Sequence, residues 1–149
     1  MNVYVESSAV VAWLLAEPES GAVGTVLAES AHLVASDLTL CETRRALVRH
    51  EAVGRLSSDA ARERRAALRS LARPWALLDI GPEVLDRAGE PFPAEPVRSP
   101  DAIHLASALL VRSHIPDLIV LSLDHRLRSA AEGLGFPVLP ELAAKEISA

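Results

Sequence analysis

Lysine is almost missing from this chain. Lys145 is the only one, against fourteen arginines, and the net charge is −5. An acidic chain is a poor nonspecific binder of polyanions. Any phosphate contact is therefore left to individual arginines, whose planar fork grips phosphate in two places. Cysteine is equally scarce. Cys41 stands alone, which excludes an internal disulfide, offers no zinc-site spacing and suits a reducing compartment. Aromatic residues number five, Tyr4, Trp13, Trp75, Phe92 and Phe136, so a core has to be built mainly from Leu, Val and Ala. The apolar stretch VVAWLLA is too short to span a bilayer and has no basic region before it. These absences predict a soluble, cytoplasmic protein with no membrane segment.

What is present is enough for one core. Half of the 149 residues are apolar, which fits a single domain over residues 1–149. No repeat or linker divides it. Residues 2–5 (NVYV) read as a strand. A helix follows from Ser7 to about Ala16, stopped by Pro18, and a second covers roughly 19–29. Residues 32–35 form a candidate strand. Ser36 or Thr39 then caps a helix through Leu40–Gly54, and Ser57 or Ser58 opens another, to about Ala72. Residues 75–80 read as a strand and 82–88 as a short helix. The stretch 89–100 holds four of the ten prolines and reads as a loop. Ser99 is placed to cap a helix to about Ser113, with Pro100 at its favoured first position. The apolar run 118–123 fits a strand buried on both faces. A helix over 125–133, ended by Gly133 or Gly135, and a last strand at 137–139 complete the chain. Strands alternating with helices predict an α/β fold, a three-layer α/β/α sandwich on a mostly parallel sheet.

Four acids stand where helices begin: Glu6, Glu42, Asp101 and Asp124. Each has a plain structural explanation. Glu6, Asp101 and Asp124 suit helix starts electrostatically, and Glu42 can pair with Arg45 across an exposed helix turn. Together they are harder to explain that way. Ligands of parallel sheets bind beyond the carboxyl ends of strands, and both Glu6 and Asp124 follow strands. Asp101 sits among apolar neighbours on a helix that reads as buried almost all round, so its carboxylate needs a partner. Two carboxylates about 5 Å apart repel by roughly 3 kcal/mol at an effective dielectric of 20. A divalent ion resolves such crowding, and oxygen-only ligands select a hard one, Mg²⁺ or Mn²⁺. Such an ion suits phosphodiester cleavage, because it acidifies water and offsets charge on the leaving oxygen. Ser7, Ser8 and Ser122 lie beside the strand-end acids, as supports for a water or carboxylate or simply as caps. His104, three residues after Asp101, falls on nearly the same helix face, either as a proton donor or as a packing histidine bonded to backbone. His32, His50, His114 and His125 form no zinc pattern. Arg62, Arg65 and Arg69 make a stripe that fits a solvated helix face better than an RNA track.

The chain resembles PIN-domain ribonucleases of the VapC toxin type. The resemblance rests on VYV-Glu6-Ser7-Ser8, on Glu42-Thr43-Arg44-Arg45-Ala46-Leu47, on Asp101-Ala102-Ile103-His104-Leu105-Ala106 and on Ser122-Leu123-Asp124. It also takes in Gly-Phe-Pro-Val at 135–138, and it runs in order from residue 3 to about 140. It implies a Rossmann-like sandwich with five strands and Mg²⁺- or Mn²⁺-dependent cleavage of RNA. It further implies a homodimer and inhibition by a small antitoxin protein. On this pattern Glu6, Glu42, Asp101 and Asp124 are the catalytic residues, with Glu6, Asp101 and Asp124 holding metal. Position 6 departs from the pattern, which has Asp there. Glu carries the charge outward by one methylene, on the order of 1.5 Å, and misplacement by about 1 Å can cost ~100-fold in rate. Two functions therefore stand: an active ribonuclease, or a weak or inactive module of the same fold that binds RNA or antitoxin. A receiver-type phosphotransfer domain also clusters acids at strand ends, but it needs a late lysine inside the fold, and Lys145 lies in the tail.

Overall fold

Val3 and Val5 turn to one side of the first strand and Tyr4 to the other, and all three are fully buried. Successive strand residues face opposite ways, so β1 (Asn2–Val5) is covered on both faces and belongs at the centre of a sheet. The computed structural model, which describes residues 1–143, bears this out; Lys145 lies outside the described residues. β2 (His32–Ser36), β3 (Ala76–Leu78), β4 (Leu118–Leu121) and β5 (Val138–Leu139) join β1 in a five-stranded sheet of order β3-β2-β1-β4-β5. Every pairing is parallel. Tyr4 is in register with Val34 on one side and Val120 on the other.

Two apolar clusters divide along the faces of β1. Val3 and Val5 pack with Val10 of α1 (Ser7–Leu14), Val23 of α2 (Ser20–Glu29), Leu47 of α3 (Asp37–Ala52) and Leu68 of α4 (Ser58–Ala72). Tyr4, Leu118 and Val120 pack with Leu105 of α6 (Ser99–Arg112) and Leu127 of α7 (His125–Gly133), while α5 (Pro82–Ala88) lies against α6. Burying a Val or Leu side chain contributes about 1.5–3 kcal/mol, so this two-sided burial of β1 and β4 holds the layers together. Among the described residues no helix is long and apolar enough to cross a membrane.

Several boundaries differ from the sequence expectation. The strand expected over 75–80 shrinks to three residues at the sheet edge, where it has one neighbour and Leu77 is exposed. The strand expected over 118–123 ends at Leu121, and the last strand keeps only two residues. α3 begins at Asp37 rather than Leu40, because both proposed caps act together: Ser36 Oγ accepts from the Thr39 amide and Thr39 Oγ1 from the Ser36 amide, each at 3.4 Å. Glu42 is thereby in the second turn. Ser99 does not cap α6. Arg98 holds the extended cap position and Ser99 is already helical. Of the two glycines offered as the end of α7, Gly135 is the one with positive φ (85°), a conformation cheap only without a Cβ.

The strand order reverses at β1. In open parallel sheets the crevice at such a switch point, outside the carboxyl ends of the strands, is where ligands bind. The residues that leave β1 and β4 at that edge are Glu6 and Ser122–Asp124.

Candidate active site

Glu6 follows β1 directly, and its amide donates to the Leu121 carbonyl at 3.0 Å, tying it to the end of β4. It occupies the N-cap position of α1, yet its side chain makes no cap bond. The carboxylate turns inward instead and is buried. Three hydroxyls hold it: Ser7 Oγ donates to Oε1 at 2.8 Å, Ser122 Oγ to Oε2 at 2.7 Å, and Ser8 Oγ also bonds Oε2. Ser8 Oγ in turn accepts from the amides of Leu123 (2.8 Å) and Asp124 (3.2 Å). The three serines singled out in the sequence thus form one hydroxyl cradle joining the ends of β1 and β4. Hydrogen bonds to an ionised acceptor are roughly twice as strong as neutral ones, so this cradle fixes the orientation of the Glu6 side chain.

Glu42 comes to the same place from α3. It forms no ion pair with Arg45; its Oε1 lies 3.0 Å from Ser7 Oγ and 2.5 Å from His104 Nε2. Burial raises its pKa, but the bond and charge of His104, the Ser7 hydroxyl and Arg49 outweigh that and hold it below the usual glutamate range. A carboxylate only accepts, so Nε2 carries the proton. His104 is 1% exposed, and its Nδ1 is 2.9 Å from Tyr4 Oη, which is also 3.0 Å from Ser36 Oγ. Burial pushes the Tyr4 hydroxyl up to about 12, so it stays protonated. The packing histidine expected to bond backbone is bonded to two side chains, one of them a site acid.

Asp101 lies in the first turn of α6. Burial, then the neighbouring Asp124 charge, then Glu6, raise its pKa against the opposing pull of Arg98 and His104. Arg98 is a loose partner at 4.0 Å and is largely exposed. Asp124 caps α7: Oδ1 accepts from the amides of Arg126 (2.9 Å) and Leu127 (3.1 Å), so the cap is real and fixes the side chain, while neither bond uses Oδ2.

All four acids, with Ser7 and Ser8, line one cleft of about 620 Å³ at the switch point. They are not equally close. Glu6, Glu42 and His104 form the tightest group, with one donor atom of each within 4.8 Å of the others. Asp101 and Asp124 line the cleft but do not belong to that group. The protonated Nε2 of His104 offers no lone pair, which leaves carboxylate and hydroxyl oxygens as the available donors. That donor set fits a hard divalent cation, and the raised Asp101 marks negative charge that such a cation would neutralise. Several residues that complete the cleft escaped the sequence reading. Arg45 and Arg49 share its lining with His50 and Arg98. The first two lie three and seven positions after Glu42, a spacing that puts them on its helix face. Arg62 and Arg65 of α4 are instead engaged with Asp59 on the same helix and with Glu51 of α3.

Similarity to known proteins agrees with this arrangement. A sequence model described as the PIN domain matches residues 3–133. Ribonuclease VapC46 of Mycobacterium tuberculosis is 36% identical over 137 residues, covering 92% of this chain and 95% of that protein. Ribonuclease VapC35 of the same organism is 34% identical over 141 residues, with the same coverage. Among solved structures, Mycobacterium tuberculosis VapC20, a sarcin-ricin loop cleaving toxin, superposes with a TM-score of 0.64 at 19% identity, over 87% of this chain and 95% of that one. VapBC2 from Rickettsia felis, bound to a promoter DNA fragment, gives a TM-score of 0.62 at 9% identity, over 93% of this chain and 98% of that one. Strand order, matched span and sequence likeness converge, and the chain belongs to the PIN-domain family, among its VapC members.

Proposed function

We propose that this chain is a metal-dependent endoribonuclease of the VapC toxin type, hydrolysing RNA phosphodiester bonds and held in check by a small antitoxin protein. One observation carries the proposal: four carboxylates from four separate segments line a single cleft at the switch point of the sheet. A fold need not gather like charges in this way, since each pair adds repulsion. The relatives named ribonuclease support RNA as the substrate. The Rickettsia felis neighbour supports an antitoxin partner. A homodimer in the cytoplasm remains the expected assembly and setting.

Glu6, Asp101 and Asp124 are proposed to hold Mg²⁺ or Mn²⁺, with Glu42 completing the charge of the site. A bound divalent cation supplies the acidification of water and the charge neutralisation that phosphodiester hydrolysis needs. The chain's own residues do the positioning. Ser7, Ser8 and Ser122 orient Glu6; His104, backed by Tyr4, orients Glu42; the α7 N-terminus orients Asp124. Arg45, Arg49 and Arg98 at the cleft rim offer the bidentate grip that fits a phosphate oxygen pair.

A second reading is favoured by one observation. Both oxygens of Glu6 are already engaged by hydroxyls, which suits a carboxylate built as a structural knot in a weak or inactive module that binds RNA or antitoxin. Calorimetric titration with Mn²⁺ separates the two: binding below millimolar supports the enzyme, and none at millimolar supports the module. The functional test is expression without a partner protein, followed by mapping of cellular RNA ends. New, discrete ends and arrested growth are expected. Intact RNA with normal growth would refute the toxin.

A further inference from the structure

A second cleft, of about 520 Å³, opens beside the acidic one and shares Arg98 and Asp101 with it. Its remaining walls differ in character. Pro96 and Val97 give it an apolar side from the loop before α6, while His125, Arg126 and Ser129 face it from α7. The acidic cleft gathers carboxylates, but in this one Asp101, at the shared mouth, is the one acid among the lining residues, against Arg98 and Arg126. The wall is also built in advance. Glu95 accepts from the amides of Phe92 (3.1 Å) and Val97 (3.2 Å), which cross-braces the loop. Phe92 is buried beneath it with the Arg87 guanidinium 4.3 Å over its ring. The volume falls within the roughly 300–1,000 Å³ typical of small-molecule clefts.

From this geometry we propose that the second cleft is a nucleotide subsite: it receives one unpaired nucleotide of the RNA, adjacent to the phosphate held at the four acids. The inference rests on the ribonuclease reading above. The base packs on Pro96 and Val97 and against the His125 ring. Arg98 and Arg126 take the phosphate that links this nucleotide to the scissile position, by two-pronged hydrogen bonds. A base still stacked and paired in a duplex presents no free face to such a pocket, whereas bases of loops and single strands can be splayed out and held this way. The subsite therefore selects unpaired RNA at the cut site. An overall acidic chain can still bind RNA here, because Arg98 and Arg126 line this cleft while Arg45 and Arg49 line the first.

Filling the cleft tests this. Ser129 is exposed on α7, so Ser129→Trp adds bulk at the pocket without disturbing the core. Binding of a fluorescent single-stranded oligoribonucleotide and of a blunt RNA duplex is measured by anisotropy in EDTA, so that no cleavage intervenes. Hydrolysis of bis(p-nitrophenyl) phosphate, a diester without a nucleotide, is measured in Mn²⁺. Ser129→Trp should weaken single-strand binding about tenfold or more, leave duplex binding far less affected, and depress RNA cleavage at least tenfold more than small-diester hydrolysis. Arg126→Gln should lower the salt slope of single-strand binding by about 0.7. Unchanged single-strand binding, or equal loss for duplex and single strand, would overturn the subsite. So would a loss confined to affinity for an antitoxin protein, which would make the cleft a protein-docking site. If the parent fails to hydrolyse even the small diester, the nuclease reading falls while the EDTA binding arm still decides the subsite.

Discussion

Tyr4→Phe removes one oxygen from the centre of the sheet and should cost more than its size suggests. The ring stays, so no cavity forms. What disappears is the hydroxyl that meets His104 Nδ1 at 2.9 Å and Ser36 Oγ at 3.0 Å. All three groups are buried, His104 and Ser36 at 1% and 0% exposure, so water cannot replace the lost partner. An orphaned buried polar group costs about 1–3 kcal/mol. Ser36 keeps its bond to the Thr39 amide, so the imidazole nitrogen is the main orphan and the expected loss is about 2 kcal/mol. At roughly 2–4 °C per kcal/mol for a domain of this size, Tm should fall by about 4–8 °C. A second effect is specific to the wiring. The Glu42 carboxylate still requires the proton on His104 Nε2, but without the hydroxyl the Nδ1 side of the ring loses its partner and the imidazole is held less firmly against Glu42. Mn²⁺ affinity should then fall together with stability. Ser36→Ala serves as the control, because it loosens the Tyr4 hydroxyl without removing it and should leave metal affinity nearly intact. Urea unfolding followed by circular dichroism gives the first number and Mn²⁺ calorimetry the second. A stability change under about 0.5 kcal/mol, the range of an ordinary surface substitution, would refute the idea that the Tyr4 hydroxyl is the buried support of His104.

Other perturbations follow from the same geometry. His104→Leu frees Glu42 from the partner that lowers its pKa; a lowered carboxyl stabilises the fold above its unfolded value and loses that contribution as pH falls through the folded one. The variant's deficit should therefore be largest near neutral pH and shrink on acidification, as read by urea midpoints at several pH values. Asp101→Asn acts with the opposite sign, since a raised carboxyl pKa means its charge opposes folding above that pKa. Metal-free Asp101→Asn should melt higher than the parent at pH 7 and lose this advantage at acid pH. Added Mn²⁺ should reverse the ranking, because the parent gains about 2.7 kcal/mol at a hundredfold excess over its Kd and the variant does not. Ser122→Ala removes the 2.7 Å donor to Glu6 and should lower stability by about 1–3 kcal/mol, with a drop in Mn²⁺ affinity as the distinguishing readout.

Periodicity made the layers legible, and it did so where burial is two-sided. LIVL leaves no polar face, so β4 was legible as a strand buried on both sides, and the acids that follow β1 and β4 were expected at one edge of the sheet; the central place of β1, whose run NVYV opens on Asn2, was not. Edge strands gave a weaker signal. Ala76–Leu78 has a single neighbour, and Trp75 before it and Ile80 after it extended the expected strand past its ladder partners. The four acids were findable one by one as helix starts, and their order carried the family resemblance. Their unequal spacing was not findable. It depends on the extra methylene of Glu6, which carries the carboxylate to within 3.9 Å of His104 Nε2, and on a tyrosine 100 residues away from that histidine in sequence. The rim arginines were missed for a different reason. Arg45 was assigned to an ion pair with Glu42, although their shared helix face equally allows both to point into one cleft.

Cleavage of RNA by the purified parent protein, side by side with Glu6→Ala and Glu6→Asp, in Mn²⁺ and in EDTA, tests the central claim most directly. The account predicts cleavage by the parent in Mn²⁺, none in EDTA, loss of about 100-fold or more in Glu6→Ala, and retained cleavage in Glu6→Asp. Equal cleavage by Glu6→Ala and the parent, or cleavage that persists in EDTA, would contradict it.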